Sequence, residues 1–198
     1  MKIIGITGAS ASGKTTTSEI LNKRKDVKII DADKVAKSLN LPGTDYMINI
    51  KSVFGDKIIF ENGHLNRKEL AKIIYNDENA RKKLNALTFK YVVGEIVNKI
   101  EEYKKQNYNF IIIDAPLLIE SGLNKYCDFV IALIADDNLK IKRICKRDNI
   151  DRQTAISRLK IQHDNSYYIE NSDFYIENTE DYNLEERINE ILDVEIKK

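Results

Sequence analysis

Gly8-Ala9-Ser10-Ala11-Ser12-Gly13-Lys14-Thr15 spells G-x-x-x-x-G-K-[ST], the pattern of a phosphate-binding loop. Its flanks suit the pattern. Ile3-Ile4-Gly5-Ile6-Thr7 before it is a short apolar run fit for a buried strand, and Thr16-Thr17-Ser18-Glu19-Ile20-Leu21-Asn22-Lys23 after it can form a helix. A strand, a glycine loop and a helix are what the chemistry needs. Gly8 and Gly13 permit backbone angles that a Cβ resists. Successive backbone N–H groups, together with the positive end of the helix, can then surround phosphates. In this pattern Lys14 contacts the β- and γ-phosphates and the Thr15 hydroxyl helps to hold Mg²⁺.

The 198 residues suit one domain with a real core. Lys plus Arg number 32 against 31 Asp plus Glu, a formal net charge of +1, so the chain lacks the basic excess of a dedicated nucleic-acid or membrane-surface binder. Cys127 and Cys145 have no C-x-x-C or metal-ligand spacing and read as reduced thiols of a cytoplasmic protein. No apolar run approaches the roughly 18 residues of a membrane span, and the start is too short in apolar length for a signal peptide. Nothing fixes the oligomeric state; a monomer is the expectation.

Five apolar, β-branched runs read as strands: Lys2–Thr7, Val27–Asp31, Phe110–Asp114, Phe129–Ile134 and Phe174–Glu177. Near-continuous apolar character in three of them, with helical patterns between, predicts an α/β fold with a five-stranded parallel sheet covered by helices on both faces. Residues 34–109 are too long for a crossover helix and too patterned for a loop. Leu70, Ile73, Ile74 and Leu84, Leu87, Tyr91 recur at helical spacing, and Asn66-Arg67-Lys68-Glu69 reads as a helix start with an Asn variant of the capping box. A helical insert is therefore expected there, either to hold a second substrate or only to cover a sheet edge. Within a single domain, the core then falls at about 1–33, 110–136 and 159–198, a lid at about 137–158, and Leu184–Val194 is a closing amphipathic helix.

Several polar residues sit where chemistry could use them. Asp31-Ala32-Asp33 follows the second strand, at the carboxyl end that faces the ligand crevice of an open parallel sheet. Asp33 is the candidate base near an attacking hydroxyl, or else a helix cap. Asp31 is a candidate to hold Mg²⁺ or its water, or to orient its neighbour. Phe110-Ile111-Ile112-Ile113-Asp114 is an apolar strand ending in Asp, the Walker-B pattern, which brings Asp114 near a metal. Glu120 could bond a substrate or lid group, or face solvent. Arg143 and Arg147, at i and i+4, share a helix face in a basic run. That run is either a solvated surface or a lid whose arginines neutralise charge on a transferred phosphoryl group. His64 and His163 show no partner pattern and read as structural or surface residues.

In order along nearly the whole chain, these motifs resemble the dephospho-coenzyme A kinase family. Ile30-Asp31-Ala32-Asp33 is similar to its I-D-A-D, and Gly63-His64-Leu65-Asn66-Arg67-Lys68-Glu69-Leu70 to its G-x-L-x-R-x-x-L. Leu84-Asn85-Ala86-Leu87 resembles L-N-x-[IL], and Asp114-Ala115-Pro116-Leu117-Leu118-Ile119-Glu120-Ser121-Gly122-Leu123 resembles D-x-P-L-L-x-E-x-G-L. Arg143-Ile144-Cys145-Lys146-Arg147-Asp148 is similar to R-x-x-x-R-D; Gln162 and Asp173-Phe174-Tyr175-Ile176-Glu177-Asn178 are similar to the late signatures. The resemblance implies a P-loop kinase fold with a coenzyme-binding helical insert and a lid. It implies ATP-dependent phosphorylation of the ribose 3′-hydroxyl of dephospho-coenzyme A. It further implies that Ala11, Ser12, Gly13, Lys14, Thr15 and Thr16 cradle ATP phosphates and that Asp33 is the base. Arg143 and Arg147 then belong to the lid, Arg67, Leu117, Leu118 and Glu120 line the acceptor side, and Asn178 lies near adenine.

The chain departs from the family pattern at three places. Thr88-Phe89 stands where the family has His-Pro, Lys140 where it has Gln, and Ser172-Asp173 where it has Ala-Asp. Another nucleoside or nucleotide kinase on the same fold is the nearest rival. A nucleotide-binding switch is disfavoured because Asn22-Lys23-Arg24-Lys25 and Asn124-Lys125-Tyr126-Cys127 both lack the Asp of N-K-x-D, and Asp114-Ala115-Pro116-Leu117 lacks the Gly of D-x-x-G.

Overall fold

The computed structural model describes residues 1–75, 77–179 and 183–196. The five strands fall where the apolar runs placed them: β1 (Lys2–Thr7), β2 (Val27–Asp31), β3 (Phe110–Asp114), β4 (Phe129–Ile134) and β5 (Phe174–Glu177). They form one sheet in the order β2-β3-β1-β4-β5. β1 runs parallel to β3 and β4, with Ile6 opposite Asp114 and Thr7 opposite Ala132, and β4 runs parallel to β5. Because the chain leaves β1 in one direction for β2 and later returns to its other side at β4, the carboxyl end of β1 lies where the strand order reverses. That is the place an open α/β sheet offers a ligand.

The chain divides into two compact units, residues 31–99 and the remainder. In the larger unit, Ile4, Ile6, Phe110, Ile112, Ile131 and Leu133 are buried in one cluster with Leu184, Ile188 and Leu192 of the C-terminal helix. Each such side chain stabilises the fold by about 1.5–3 kcal/mol relative to exposure. Gly5 lies inside β1 for a packing reason. A Cβ there would stand 2.5 Å from a Leu118 methyl and 2.9 Å from Cys127 Sγ, so the missing side chain is the space Leu118 occupies.

In the smaller unit, α2 (Ala32–Leu39), α3 (Asp45–Phe54), α4 (Arg67–Tyr75) and the first part of α5 (Glu78–Tyr103) surround a separate apolar cluster. Tyr46, Met47, Ile50, Ile58 and Leu70 are its buried members, and Leu84, Leu87 and Tyr91 pack against it. Short polar side chains set the helix starts: Thr44 accepts from Met47 N, Asn66 from Glu69 N and Asp77 from Ala80 N, satisfying donors that have no carbonyl within the helix. Asn66 caps as expected, but the capping box is only half formed. The Glu69 carboxylate turns to Lys72, and Asn66 N donates to Ile58 O instead. Ile73 is partly exposed rather than central to the cluster.

One further expectation needs correction here. The cap of α2 is Asp31, whose Oδ1 accepts from Lys34 N at 2.9 Å, so the helix begins two residues earlier than a cap at Asp33 requires. The other Asp31 oxygen faces Lys34 Nζ at 3.3 Å. Both oxygens of Asp31 thus have partners at the start of α2. Among the described residues, no helix is long and apolar enough to cross a membrane.

Candidate active site

Residues 8–13 connect β1 to α1 (Lys14–Leu21). Two glycines are required by contact as well as by angle. Gly8 has φ +141°, and a Cβ on it would fall on the Leu133 carbonyl of β4. Gly13 has φ +118°, and a Cβ on it would fall on the Asn178 amide. Ala11 takes φ +62° without being glycine and packs against the cluster of Ile141, Ile144 and Ala155. Lys14 lies back across the loop, its Nζ donating to the carbonyls of Gly8 at 2.5 Å and Ala9 at 2.9 Å.

Side chains distant in sequence hold the middle of the loop. The Gln162 side-chain oxygen accepts from Ser10 N at 2.7 Å. Arg143 Nη1 donates to Ala11 O at 3.2 Å, Arg147 Nη2 to Ser10 Oγ at 3.3 Å, and Asn178 Nδ2 to Ser12 O at 2.9 Å. Both arginines come from α6 (Asp137–Asp148), whose first turn is capped by Asp136. Their i, i+4 spacing therefore brings both side chains of one helix face to the loop, Arg143 partly buried and Arg147 still exposed. Arg147 is also held by Asp148, which bonds Arg158 of α7 (Arg152–Lys160) in turn. The Arg147 guanidinium pulls the Asp148 carboxylate below its ordinary range, and the Arg147 pKa is raised reciprocally.

Asp114 ends β3 beside the loop strand, and Ser18 of α1 donates to its Oδ2 at 2.5 Å. No motif marks Ser18; its place one turn after Thr15 on the same helix is the only hint. Thr15 and Thr16 open α1 and are exposed. Of the residues expected on the acceptor side, Leu117 is exposed, whereas Leu118 is fully buried under Gly5. Leu118 is therefore a core residue and not part of a ligand surface.

Glu120 is partly buried. Its Oε1 is 3.4 Å from His163 Nε2, while its Oε2 is shielded and has no hydrogen-bond partner among the described residues. His163 is more than a lone surface residue. It stacks on Tyr167 with ring centroids 3.7 Å apart and faces Tyr168, whose hydroxyl pKa is pushed up to about 12 by burial and by the Glu120 charge. Lys140 is a third surprise. Within a basic run that reads either as a solvated surface or as a lid it is buried, its Nζ bonded to Asn165 Oδ1 at 3.0 Å and paired with Asp137 at 2.8 Å.

In the smaller unit, Asp33 and Arg67 are exposed in the first turns of α2 and α4. Among the described residues neither side chain has a hydrogen-bond or ion-pair partner. Thr88, at the place of the family's His-Pro, bonds the Tyr46 hydroxyl at 3.1 Å and Leu84 O at 2.8 Å.

A glycine loop closed on a helix start, a lysine over it and two helix-borne arginines against it, on a five-stranded α/β sheet, define a P-loop kinase. The likeness to shikimate kinase from Acinetobacter baumannii reflects that fold alone: 13% identity, TM-score 0.54, with 100% of this chain and 94% of that one covered. More specifically, the sequence matches the dephospho-CoA kinase family over residues 2–183, and the chain belongs to that family. It is 38% identical over 185 residues to the dephospho-CoA kinase of Fusobacterium nucleatum, covering 93% of this chain and 92% of that protein. The solved dephospho-CoA kinase from Campylobacter jejuni is 30% identical with a TM-score of 0.69, covering 97% and 96%. Members of the family are transferases that use ATP to phosphorylate dephospho-coenzyme A, the last step of coenzyme A synthesis.

Proposed function

We propose that the loop of residues 8–15 receives the ATP phosphates and that Arg143 and Arg147 neutralise the γ-phosphoryl group during its transfer to the ribose 3′-hydroxyl of dephospho-coenzyme A. The observation that carries this reading is the convergence of both arginines on Ser10 and Ala11. In that reaction Asp33 accepts the hydroxyl proton as the 3′-oxygen attacks phosphorus in line, the β–γ bridging bond breaks, and ADP leaves. The absence of any competing partner for Asp33 among the described residues supports its role as base. Transfer passes through a loose transition state, so charge placed by Lys14 and the arginines contributes more than the base.

Mg²⁺ suits the oxygen donors present. The Thr15 hydroxyl and the Asp114 carboxylate are hard ligands of the kind that hold Mg²⁺ together with substrate phosphates. No group of three or more His, Cys, Asp or Glu forms a metal cage among the described residues, and a phosphate-borne Mg²⁺ needs none. When bound, the ion supplies neutralisation of charge on the β- and γ-oxygens. Thr15 would hold it directly, with Asp114 aimed by Ser18.

Arg67, exposed Leu117 and Glu120 are the acceptor-side residues of this reading. The shielded Glu120 Oε2 gives it a specific basis, since a buried carboxylate oxygen without a donor is costly until a ligand supplies one. A cytoplasmic, monomeric enzyme completes the proposal. The test is product formation from Mg²⁺-ATP and dephospho-coenzyme A beside a panel of nucleosides and nucleotides, read by mass spectrometry. A coenzyme A product with the added 3′-phosphate is expected. Phosphorylation of another acceptor alone would transfer the reading to a different substrate.

A further inference from the structure

Asn178, just beyond β5 and expected beside adenine, is also tied into the phosphate loop. The residue is buried, 9% exposed. Its backbone N–H donates to Ile134 O at 2.8 Å, and its Nδ2 to Ser12 O at 2.9 Å. Its Oδ1 and its own carbonyl both accept from Arg143 Nη2, at 3.4 and 3.5 Å. The amide fills the space that a Gly13 Cβ would need. Each of its polar atoms is thus used inside the protein.

The trans peptide bond gives this arrangement a consequence. The carbonyl of Ser12 and the N–H of Gly13 belong to one planar unit and point to opposite sides. Fixing the carbonyl on Asn178 therefore fixes the direction of the Gly13 N–H, which has no hydrogen-bond partner among the described residues. The same amide limits how the Arg143 guanidinium can turn while Nη1 holds Ala11 O. We propose that Asn178 is a positioning residue for phosphoryl transfer, which aims the Gly13 N–H and the Arg143 guanidinium together at the transferred group. The inference rests on the reading that the loop binds ATP phosphates and that Arg143 serves the transfer.

The experiment is a double-mutant cycle of Asn178→Ala and Arg143→Ala in the full chain, read by kcat with dephospho-coenzyme A and by the calorimetric Kd for ATP. Asn178→Ala is expected to lower kcat by about 30-fold alone but by no more than about 3-fold in the Arg143→Ala background, because the second change removes what the first one positions. Equal factors in both backgrounds would overturn the proposal, since a merely structural asparagine acts independently of Arg143. If the wild-type chain makes no coenzyme A, the functional reading fails by itself. The ATP Kd cycle then decides on Asn178 alone, with coupling supporting the proposal and equal factors overturning it. Should Asn178→Ala not fold, Asn178→Asp keeps an acceptor for Arg143 and loses the donor to Ser12, and the same cycle applies.

Discussion

The unit that carries the phosphate loop and the unit of residues 31–99 are built by different means. In the first, polar groups are fixed by partners far away in sequence. Ser10 N bonds Gln162, Ala11 O bonds Arg143, Ser12 O bonds Asn178, and Asp114 bonds Ser18. In the second, side-chain hydrogen bonds are mostly caps and neighbours, such as Lys34 N to Asp31 and Lys72 to Glu69, with Tyr46–Thr88 and Asn49–Tyr91 as the longer ties. Apolar packing around Ile50 and Ile58 does the rest. The first arrangement sets donors before a ligand arrives, which suits a group as invariant as a triphosphate. The second leaves Asp33 and Arg67 uncommitted at the surface, which suits a larger acceptor that must be met and released.

Lys14→Ala tests the preorganised side with the largest effect. Removing one charged donor aimed at the transferred group is expected to lower kcat by about 10³-fold. Stability should change by less than about 1 kcal/mol, because the carbonyls of Gly8 and Ala9 can turn to water. Steady-state kinetics and a thermal melt read the two quantities. A large loss of stability would mean that the lysine is part of the loop's scaffold, and would weaken the contrast between the units.

Asp33→Asn tests the uncommitted side. A general base contributes at least about 10²-fold, so kcat should fall by about that factor while the calorimetric affinity for ATP is unchanged. An unchanged kcat would remove Asp33 from the reaction. A weakened ATP affinity would show that the carboxylate acts on the donor instead, which would blur the division of labour.

The same contrast separates what was legible in the sequence from what was not. The strands were legible because buried parallel strands are written as continuous Ile/Val/Phe runs, and the loop because its glycines and lysine have fixed spacing. Helix starts were legible to within two residues: Asp31 rather than Asp33 caps α2, since the chain leaves the extended conformation immediately after β2. Leu118 looked like part of a substrate-facing motif and is core, a fact decided by the missing Cβ of Gly5 more than one hundred positions away. Lys140 looked like one charge in a basic run, solvated or lid-forming, and is buried against Asn165. Asn178, Gln162 and Ser18 escaped a functional reading from spacing alone. A hydrogen bond between residues 96 to 166 positions apart leaves no local periodicity to read.

Thr88→Val sharpens the description of the smaller unit at lower amplitude. The valine keeps the shape but removes the hydroxyl shared by Tyr46 and Leu84 O. A loss of about 1 kcal/mol in urea unfolding is expected, typical of one hydrogen bond. The KM for dephospho-coenzyme A should stay unchanged, because the hydroxyl is spent within the cluster. A raised KM with unaltered stability would instead give Thr88 a direct part in acceptor binding, at the very place where the chain departs from the family's His-Pro.

The smallest effect concerns Asp26, where the larger unit's long-range polar ties reach the far side of the sheet from the loop. Its carboxylate accepts from Arg24 Nε at 3.1 Å and Nη2 at 3.0 Å, and from Asn109 Nδ2 at 3.2 Å, at the start of β2 and β3. The hydrogen bonds from Arg24 hold its pKa below the ordinary 3.8. A carboxylate whose folded pKa is depressed contributes stability that is fully present above the unfolded value and is lost as pH falls through the folded one. Asp26→Asn should therefore melt below the wild type at pH 6–7, by no more than a pair of this exposure contributes, about 1 kcal/mol or less. The two melting curves should converge as the pH is lowered below about 3.8, because the wild type then loses its charge while the variant has none to lose. A difference that persists undiminished into acid would mean that the side chain acts through shape and neutral hydrogen bonds. In that case the ionic part of the contrast between the two units would be confined to the loop and its arginines.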